Sequence, residues 1–152
     1  MSIPQSGGGP IERSEQLAEY LASGCKPSQD FRIGTEHEKF GWLPATAAPL
    51  PYDGAASVRA VLQGLADRFG WSPVTEQGAL IGLTREGANV SLEPGGQLEL
   101  SGAPLTSIHA TEAELACHLD EVAAGCPPPR GRVFSVGAAP GWGPAGALGL
   151  AG

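Results

Sequence analysis

The 152-residue chain is long enough for one domain with its own hydrophobic core. Its formal net charge of −7 argues against nucleic-acid binding, which needs a basic surface, and its three widely spaced cysteines are typical of reduced thiols. The sequence shows neither a secretory signal nor an apolar run near the roughly 20 residues of a membrane helix, so we expect a cytoplasmic protein without membrane contact.

The amino-terminal third predicts a leader, a helix and a strand. Residues 1–10 contain three consecutive glycines and are expected to form a flexible leader. Residues 11–23 are the first predicted helix, because apolar side chains recur there at helical spacing. Those side chains are Leu17, Tyr20 and Leu21. Residues 31–42 have the pattern of an extended strand, and a loop is expected at 44–52.

The second predicted helix has the strongest pattern in the chain. Asp53 is a candidate N-cap, since its carboxylate can accept hydrogen bonds from the free N–H groups of a first turn. Gly70 is expected to end the helix. The apolar residues between them share one helical face: Val58, Val61, Leu62, Leu65 and Phe69.

The period of the sequence changes after this helix. Between residues 71 and 101, short strand-like segments alternate with turns that contain glycine, which predicts an antiparallel meander. Thr106 or Ser107 is a candidate cap for a last helix that ends near Gly125. Its predicted apolar face carries Ile108, Leu115, Leu119 and Val122. Together these elements predict an α+β fold, with helices flanking an antiparallel sheet.

The carboxyl-terminal segment, residues 127–152, differs from the rest in composition. It is rich in glycine and proline and contains no acidic residue and no lysine. Because it has no sustained helical or strand period, we expect it to be disordered or to derive from another reading frame. The predicted ordered domain therefore spans residues 11–126.

Two carboxylates lie close together on the predicted strand 31–42. Successive side chains of a strand point to opposite faces, so Glu36 and Glu38 share one face while His37 and Lys39 share the other. Two carboxylates roughly 7 Å apart on one face repel each other and resist burial. This face is therefore expected to be covered either by water or by cations.

Two further carboxylates flank the predicted turn at 94–96. Glu93 ends one strand and Glu99 lies in the next, so a tight hairpin makes them neighbours. If this hairpin pairs with the strand 31–42, all four carboxylates converge on one sheet face. Hard oxygen ligands of this kind suit Mg²⁺ or Mn²⁺, and such ions serve phosphoryl transfer from ATP. Spacing alone favours a solvated sheet face that carries several glutamates, and the metal site is the alternative.

Three segments carry a resemblance to a known family. The plant and proteobacterial type of glutamate–cysteine ligase is closely similar in LAEYLASGCKP, RIGTEHEKFGW and VSLEPGGQLELSGAPLTSIHATEAEL, within residues 12–125. The resemblance implies part of a glutamine-synthetase-like catalytic sheet, with ATP-dependent phosphorylation of the γ-carboxylate of L-glutamate. Attack by the amine of L-cysteine then gives γ-glutamylcysteine, the first product of glutathione synthesis. The implied ligands of Mg²⁺ or Mn²⁺ are Glu36, Glu38, Glu93 and Glu99.

The chain departs from this family in its carboxyl-terminal segment. Members of the family are much longer and continue with strands, helices and basic residues that complete the ATP and glutamate sites. Gly141 stands where the family has a lysine, and the residues after it have no counterpart. We therefore expect a truncated chain that is inactive alone, with its oligomeric state open.

Two other functions stay open at this point. An open sheet leaves edge strands unpaired, so the chain can be a metal-binding or interaction module without catalysis. It can also be a related carboxylate–amine ligase with another amine acceptor, because only the resemblance identifies the acceptor. The sequence predicts neither catalytic residues nor the residues that bind ATP.

Overall fold

The computed structural model describes residues 9–125 and the backbone of 132–134. Most of the predicted leader and nearly all of the segment 127–152 lie outside these residues. A single 3-10 turn at Ser28–Asp30 follows the first helix. The other elements are α1 (Glu15–Ser23), β1 (Glu36–Leu43), β2 (Ala48–Pro49), α2 (Val58–Phe69), β3 (Ser72–Glu76), β4 (Ala79–Arg85), β5 (Ala88–Glu93), β6 (Gln97–Ser101), α3 (Ile108–Gly125) and β7 (Arg132–Phe134).

The described strands form one antiparallel sheet. Its main path runs in the order β2-β1-β6-β5-β4-β3, and β7 pairs with β1. The meander predicted between residues 71 and 101 is confirmed as β3 to β6. Glycines with positive φ lie at its three turns: Gly78, Gly87, Gly95 and Gly96. The predicted α+β class with an antiparallel sheet is therefore confirmed.

The core lies between one face of this sheet and the helices α2 and α3. The predicted apolar face of α2 is buried except for Phe69, which is partly buried. On the sheet side, the alternate residues of β5 and β6 complete the core: Val90, Leu92, Leu98 and Leu100. Gly64 allows α2 and α3 to approach closely, since a Cβ atom there would lie 2.6 Å from the carbonyl oxygen of Gly125.

The start of α2 differs from the prediction. Ser57 is the N-cap, and its hydroxyl accepts a hydrogen bond of 3.1 Å from the N–H of Ala60. Asp53 lies before the first turn and forms a salt bridge of 2.6 Å with Arg59 instead. The end of the helix is as predicted, because Gly70 adopts a left-handed conformation with φ of 72°.

Two other predictions about local structure are wrong. The segment 44–52 is not only a loop, because β2 within it pairs with the end of β1. In α3, Ile108 is 69 % exposed and Leu119 is also exposed, while several polar residues are buried in their place. Those residues are Thr111, His118 and Glu121. Glu121 is buried with hydrogen bonds from Trp71 and Arg85, which lie outside the helix.

α1 forms where it was predicted, but none of its residues is buried. Tyr20 is 79 % exposed, and Leu17 and Leu21 are exposed beside it. The apolar side chains thus share a face at helical spacing without packing on the core. None of the helices in the described part of the chain is long and apolar enough to cross a membrane.

Candidate functional site

The two strands that carry the predicted metal ligands are neighbours in the sheet. β1 pairs with β6 in a register that places Glu38 directly opposite Glu99 and Glu36 opposite Ser101. The condition on which the four-carboxylate prediction depended, pairing of the hairpin with the first strand, is therefore met. We call this side of the sheet the acidic face, defined by Glu36, Glu38, Glu93 and Glu99.

Glu93 reaches the acidic face from the end of β5. It lies opposite Gln97, so that it is a diagonal neighbour of Glu99 across the hairpin. Its Oε1 accepts a hydrogen bond of 3.2 Å from the hydroxyl of Ser91. The turn that follows uses two consecutive glycines with positive φ, a conformation that other residues rarely adopt.

The four carboxylates interact electrostatically around Glu99. Partial burial raises the pKa of Glu99, and the charges of Glu93, Glu36 and Glu38 raise it further, together with a hydrogen bond to Glu93. Glu36 and Glu38 themselves are exposed to solvent. The acidic face therefore carries an excess of negative charge that a cation would relieve.

The donor set fits a hard divalent cation, because every candidate ligand is a carboxylate oxygen. Lys39 and Arg85 are the lysine and arginine residues of the strands β1 to β6, and both point to the helix side of the sheet. As the side chains stand, no three His, Cys, Asp or Glu residues in the described part of the chain are gathered closely enough to hold a metal ion. The metal site thus stays a prediction, and binding requires the exposed glutamates to move.

Lys39 lies beneath the acidic face, on the helix side of β1, and only 1 % of it is exposed. Its Nζ donates a hydrogen bond of 2.7 Å to the carbonyl oxygen of His37 and lies 3.2 Å from Nδ1 of the same residue. Burial lowers the pKa of Lys39 to about 8, although Glu99 acts in the opposite direction. The predicted division of β1 into a carboxylate face and a His37–Lys39 face is confirmed.

The model of glutamate-cysteine ligase family 2 (GCS2) matches residues 32–147, which include every residue of the acidic face. The chain belongs to this family. The family resemblance found in the sequence motifs is therefore confirmed.

Individual ligases of higher plants are also similar to the chain. It is 52 % identical over 110 residues to glutamate–cysteine ligase A, chloroplastic, of Oryza sativa subsp. japonica. It is 50 % identical over 115 residues to the chloroplastic ligase of Arabidopsis thaliana, and 52 % identical over 110 residues to that of Solanum lycopersicum. These alignments cover 72 to 76 % of the chain but only 20 to 22 % of the relatives, so the chain spans about a fifth of their length.

The names of these ligases correct the predicted localisation. All three are called chloroplastic, which points to the plastid and contradicts the cytoplasmic location expected from the sequence. The prediction was wrong because it rested on the lack of a secretory signal. That observation argues only against secretion, since import into plastids depends on a different kind of segment.

A buried polar network in this family member was missed by sequence reasoning. Glu121 of α3 accepts hydrogen bonds from Trp71 Nε1 at 2.9 Å and from both terminal nitrogens of Arg85, at 2.8 and 3.1 Å. Burial tends to raise the pKa of Glu121, but the hydrogen bonds from Arg85 and Trp71 outweigh it and lower the pKa. The network joins α3 to Trp71 and to Arg85 at the end of β4. Sequence patterns cannot predict it, because helical and strand periods relate only residues that are close in the chain.

Proposed function

We propose that the chain supplies the metal-binding carboxylates of a glutamate–cysteine ligase. In this reaction ATP phosphorylates the γ-carboxylate of L-glutamate, and the amine of L-cysteine then displaces phosphate to give γ-glutamylcysteine. The convergence of Glu36, Glu38 and Glu93 around Glu99 on one open sheet face carries the proposal. Membership of the ligase family supports it.

The geometry suits a glutamine-synthetase-like arrangement, in which the catalytic site lies on an open sheet face. α2 and α3 cover the other face of the sheet, where their apolar residues pack against those of β5 and β6. Antiparallel pairing then fixes the positions of Glu38 and Glu99, while their side chains keep rotational freedom. When bound, Mg²⁺ or Mn²⁺ supplies positive charge that offsets the phosphates of ATP and the acyl phosphate.

The chain's own residues have defined parts in this proposal. Glu38 and Glu99 provide oxygen donors from two strands, and Glu36 and Glu93 extend the donor set along the sheet. The glycine turn after Glu93 leaves space beside the carboxylates, since Gly95 has no atom within 4 Å of the position of a Cβ. The residues that bind ATP and the two amino acids are not assigned.

Titration with Mn²⁺, followed by the electron paramagnetic resonance of the free ion, tests the proposal. We expect the Mn²⁺ affinity of the Glu38→Gln/Glu99→Gln double variant to fall by considerably more than about tenfold. Loss of a residue that only hydrogen-bonds to a metal ligand already lowers metal affinity by about tenfold or more, and here two ligands are lost. Glu76→Gln/Glu112→Gln is the matched control, because it removes the same charge from exposed positions elsewhere. Equal Mn²⁺ affinity in the two double variants would remove the acidic face from the proposed site.

A further inference from the structure

A pocket lies on the helix side of the sheet, opposite the acidic face. We call it the α3 pocket. Its volume is about 270 Å³, well above the roughly 10–15 Å³ that a cavity needs to hold one water molecule. The residues that matter for its chemistry are Trp71, Arg85, Glu86, Leu100, Glu114 and His118. The pocket is separate from the predicted metal ligands.

His118 lines this pocket with two ring nitrogens that lack hydrogen-bond partners among the described residues. Only 1 % of the residue is exposed. The ring meets Trp71 edge-on, with centroids 6.2 Å apart. Burial lowers the pKa of His118 to about 3, with Lys39 adding to the effect, so the imidazole is neutral and one nitrogen is an acceptor.

Glu114 brings a second acceptor. Its Oε1 accepts a hydrogen bond of 2.8 Å from the N–H of Ala103, while its Oε2 is buried and has no partner within residues 9–125. The carboxylate rests against Gly102, where a Cβ atom would collide with Oε2. A buried carboxylate oxygen without a partner is unfavourable, so this arrangement favours a ligand that donates hydrogen bonds.

The charged residues that line the pocket favour a cation, although Lys39, which acts on His118 from outside the lining, opposes it. Arg85 is the basic residue in the lining, but both of its terminal nitrogens bind Glu121 and its guanidinium stacks over Trp71 at 4.2 Å. Its charge is therefore compensated. Glu86 and Glu114 leave the lining with net negative charge.

We propose that the α3 pocket binds a small protonated primary amine, which donates hydrogen bonds to Glu114 Oε2 and to the acceptor nitrogen of His118. The apolar wall at Leu100 accommodates a short alkyl chain. The sheet separates this pocket from the acidic face, so an amine bound here is not the one that attacks the acyl phosphate. The proposal is independent of the proposed ligase chemistry.

The first test uses n-propylammonium chloride as the probe, with the full-length chain labelled for nuclear magnetic resonance. We expect saturable shifts of the imidazole nitrogens of His118 on titration at constant ionic strength. Propanol and sodium propionate, which match the alkyl chain but lack the cation, are expected to produce no saturable shift. Saturable shifts with propanol, or with the ammonium ion only at residues of the acidic face, would overturn the proposal.

The second test uses a matched pair of variants on α3. Glu114→Gln keeps the acceptor for Ala103 but replaces the other oxygen by an amide donor, and we expect it to weaken propylammonium binding by about tenfold or more. Glu112→Gln removes the same charge from an exposed position of the helix and is expected to leave the affinity unchanged. Equal affinity of both variants would show that the amine binds elsewhere. If Glu114→Gln does not fold, the titration of the unaltered chain decides the question alone.

Discussion

Glu38 and Glu99 face each other as a cross-strand pair at the centre of the acidic face. Like charges directly opposite each other destabilise an antiparallel sheet. The chain tolerates this pair because β6 is held from the other side, where Leu98 and Leu100 are buried in the core. The Glu38–Glu99 pair therefore lowers the stability of the sheet but places carboxylate oxygens close together on one face.

Replacing one member of this pair should stabilise the metal-free chain. Glu99→Gln removes the repulsion from three neighbouring carboxylates, so we expect the free energy of unfolding to rise by about 0.2–1 kcal/mol at low ionic strength. The gain should disappear near 1 M NaCl, where the screening length falls to about 3 Å. Urea denaturation at both salt concentrations measures the effect. A loss of stability at low salt would contradict the prediction, and Glu76→Gln serves as the control.

His118 should make the stability depend on pH below neutrality. Burial lowers the pKa of His118 to about 3 in the folded chain, below the ordinary 6.5 of a histidine. As the pH falls below 6.5, only the unfolded chain takes up the proton, so stability is lost; by pH 5 the loss is on the order of 2 kcal/mol. His118→Leu should flatten the urea-unfolding profile between pH 7.5 and 5, while His109→Leu, at an exposed position, should not. A profile as steep in His118→Leu as in the unaltered chain would contradict this.

Glu121 should titrate in a different window. The hydrogen bonds from Arg85 and Trp71 lower its pKa in the folded chain, so its stabilising contribution is lost only as the pH falls below 4.5. At pH 7, Glu121→Gln breaks a largely buried pair and should reduce the free energy of unfolding by about 2–3 kcal/mol, less than for a fully buried pair. Asp53→Asn breaks the exposed pair with Arg59 and should change it by less than about 1 kcal/mol. Equal effects of the two variants in urea denaturation would refute the distinction.

The contact between α2 and α3 should not tolerate a methyl group. Alanine normally stabilises a helix by about 1 kcal/mol relative to glycine. At Gly64, however, the added Cβ meets the backbone oxygen of Gly125, so we expect a net loss of about 1–3 kcal/mol in the free energy of unfolding. Gly24→Ala, at the exposed end of α1, should be neutral or stabilising. A stable Gly64→Ala chain in thermal denaturation would mean that the helices can separate without loss.

The purified 152-residue chain should not form γ-glutamylcysteine by itself. Phosphoryl transfer needs positive charge around the moving phosphate, and the basic residues in β1 to β6 lie on the other side of the sheet. The measurement is product formation from L-glutamate, L-cysteine, ATP and Mg²⁺. The Glu38→Gln/Glu99→Gln chain provides the background rate. Robust turnover above that rate would contradict the prediction.

The features that could be predicted from the sequence are those with a local or periodic cause. The face of α2, the meander and the alternation of Glu36, His37, Glu38 and Lys39 follow from helical and strand spacing. The pairing of β1 with β6 was a condition of the prediction, and the register of the two strands fulfils it. Metal binding itself stays a prediction.

The features that could not be predicted depend on partners distant in the chain. His118 and Glu121 lie on α3, whose apolar residues predicted a different buried face. Glu121 is buried because it binds Trp71 and Arg85, which are 50 and 36 residues away in the chain. Spacing placed Lys39 on the face opposite the carboxylates but could not show that this face is covered. α1 shows the converse, since its amphipathic pattern has no packing partner among the described residues.

Because Lys39 is buried, its chemical reactivity reports local opening of β1. The sequence contains only one other lysine, Lys26, which is exposed. An amine-reactive acylating reagent should therefore modify Lys26 of the folded chain and spare Lys39. Lys39 is acylated only when local opening separates β1 from the helices that cover it. The rate at which that single mass increment appears gives the opening frequency of the strand that carries Glu36 and Glu38.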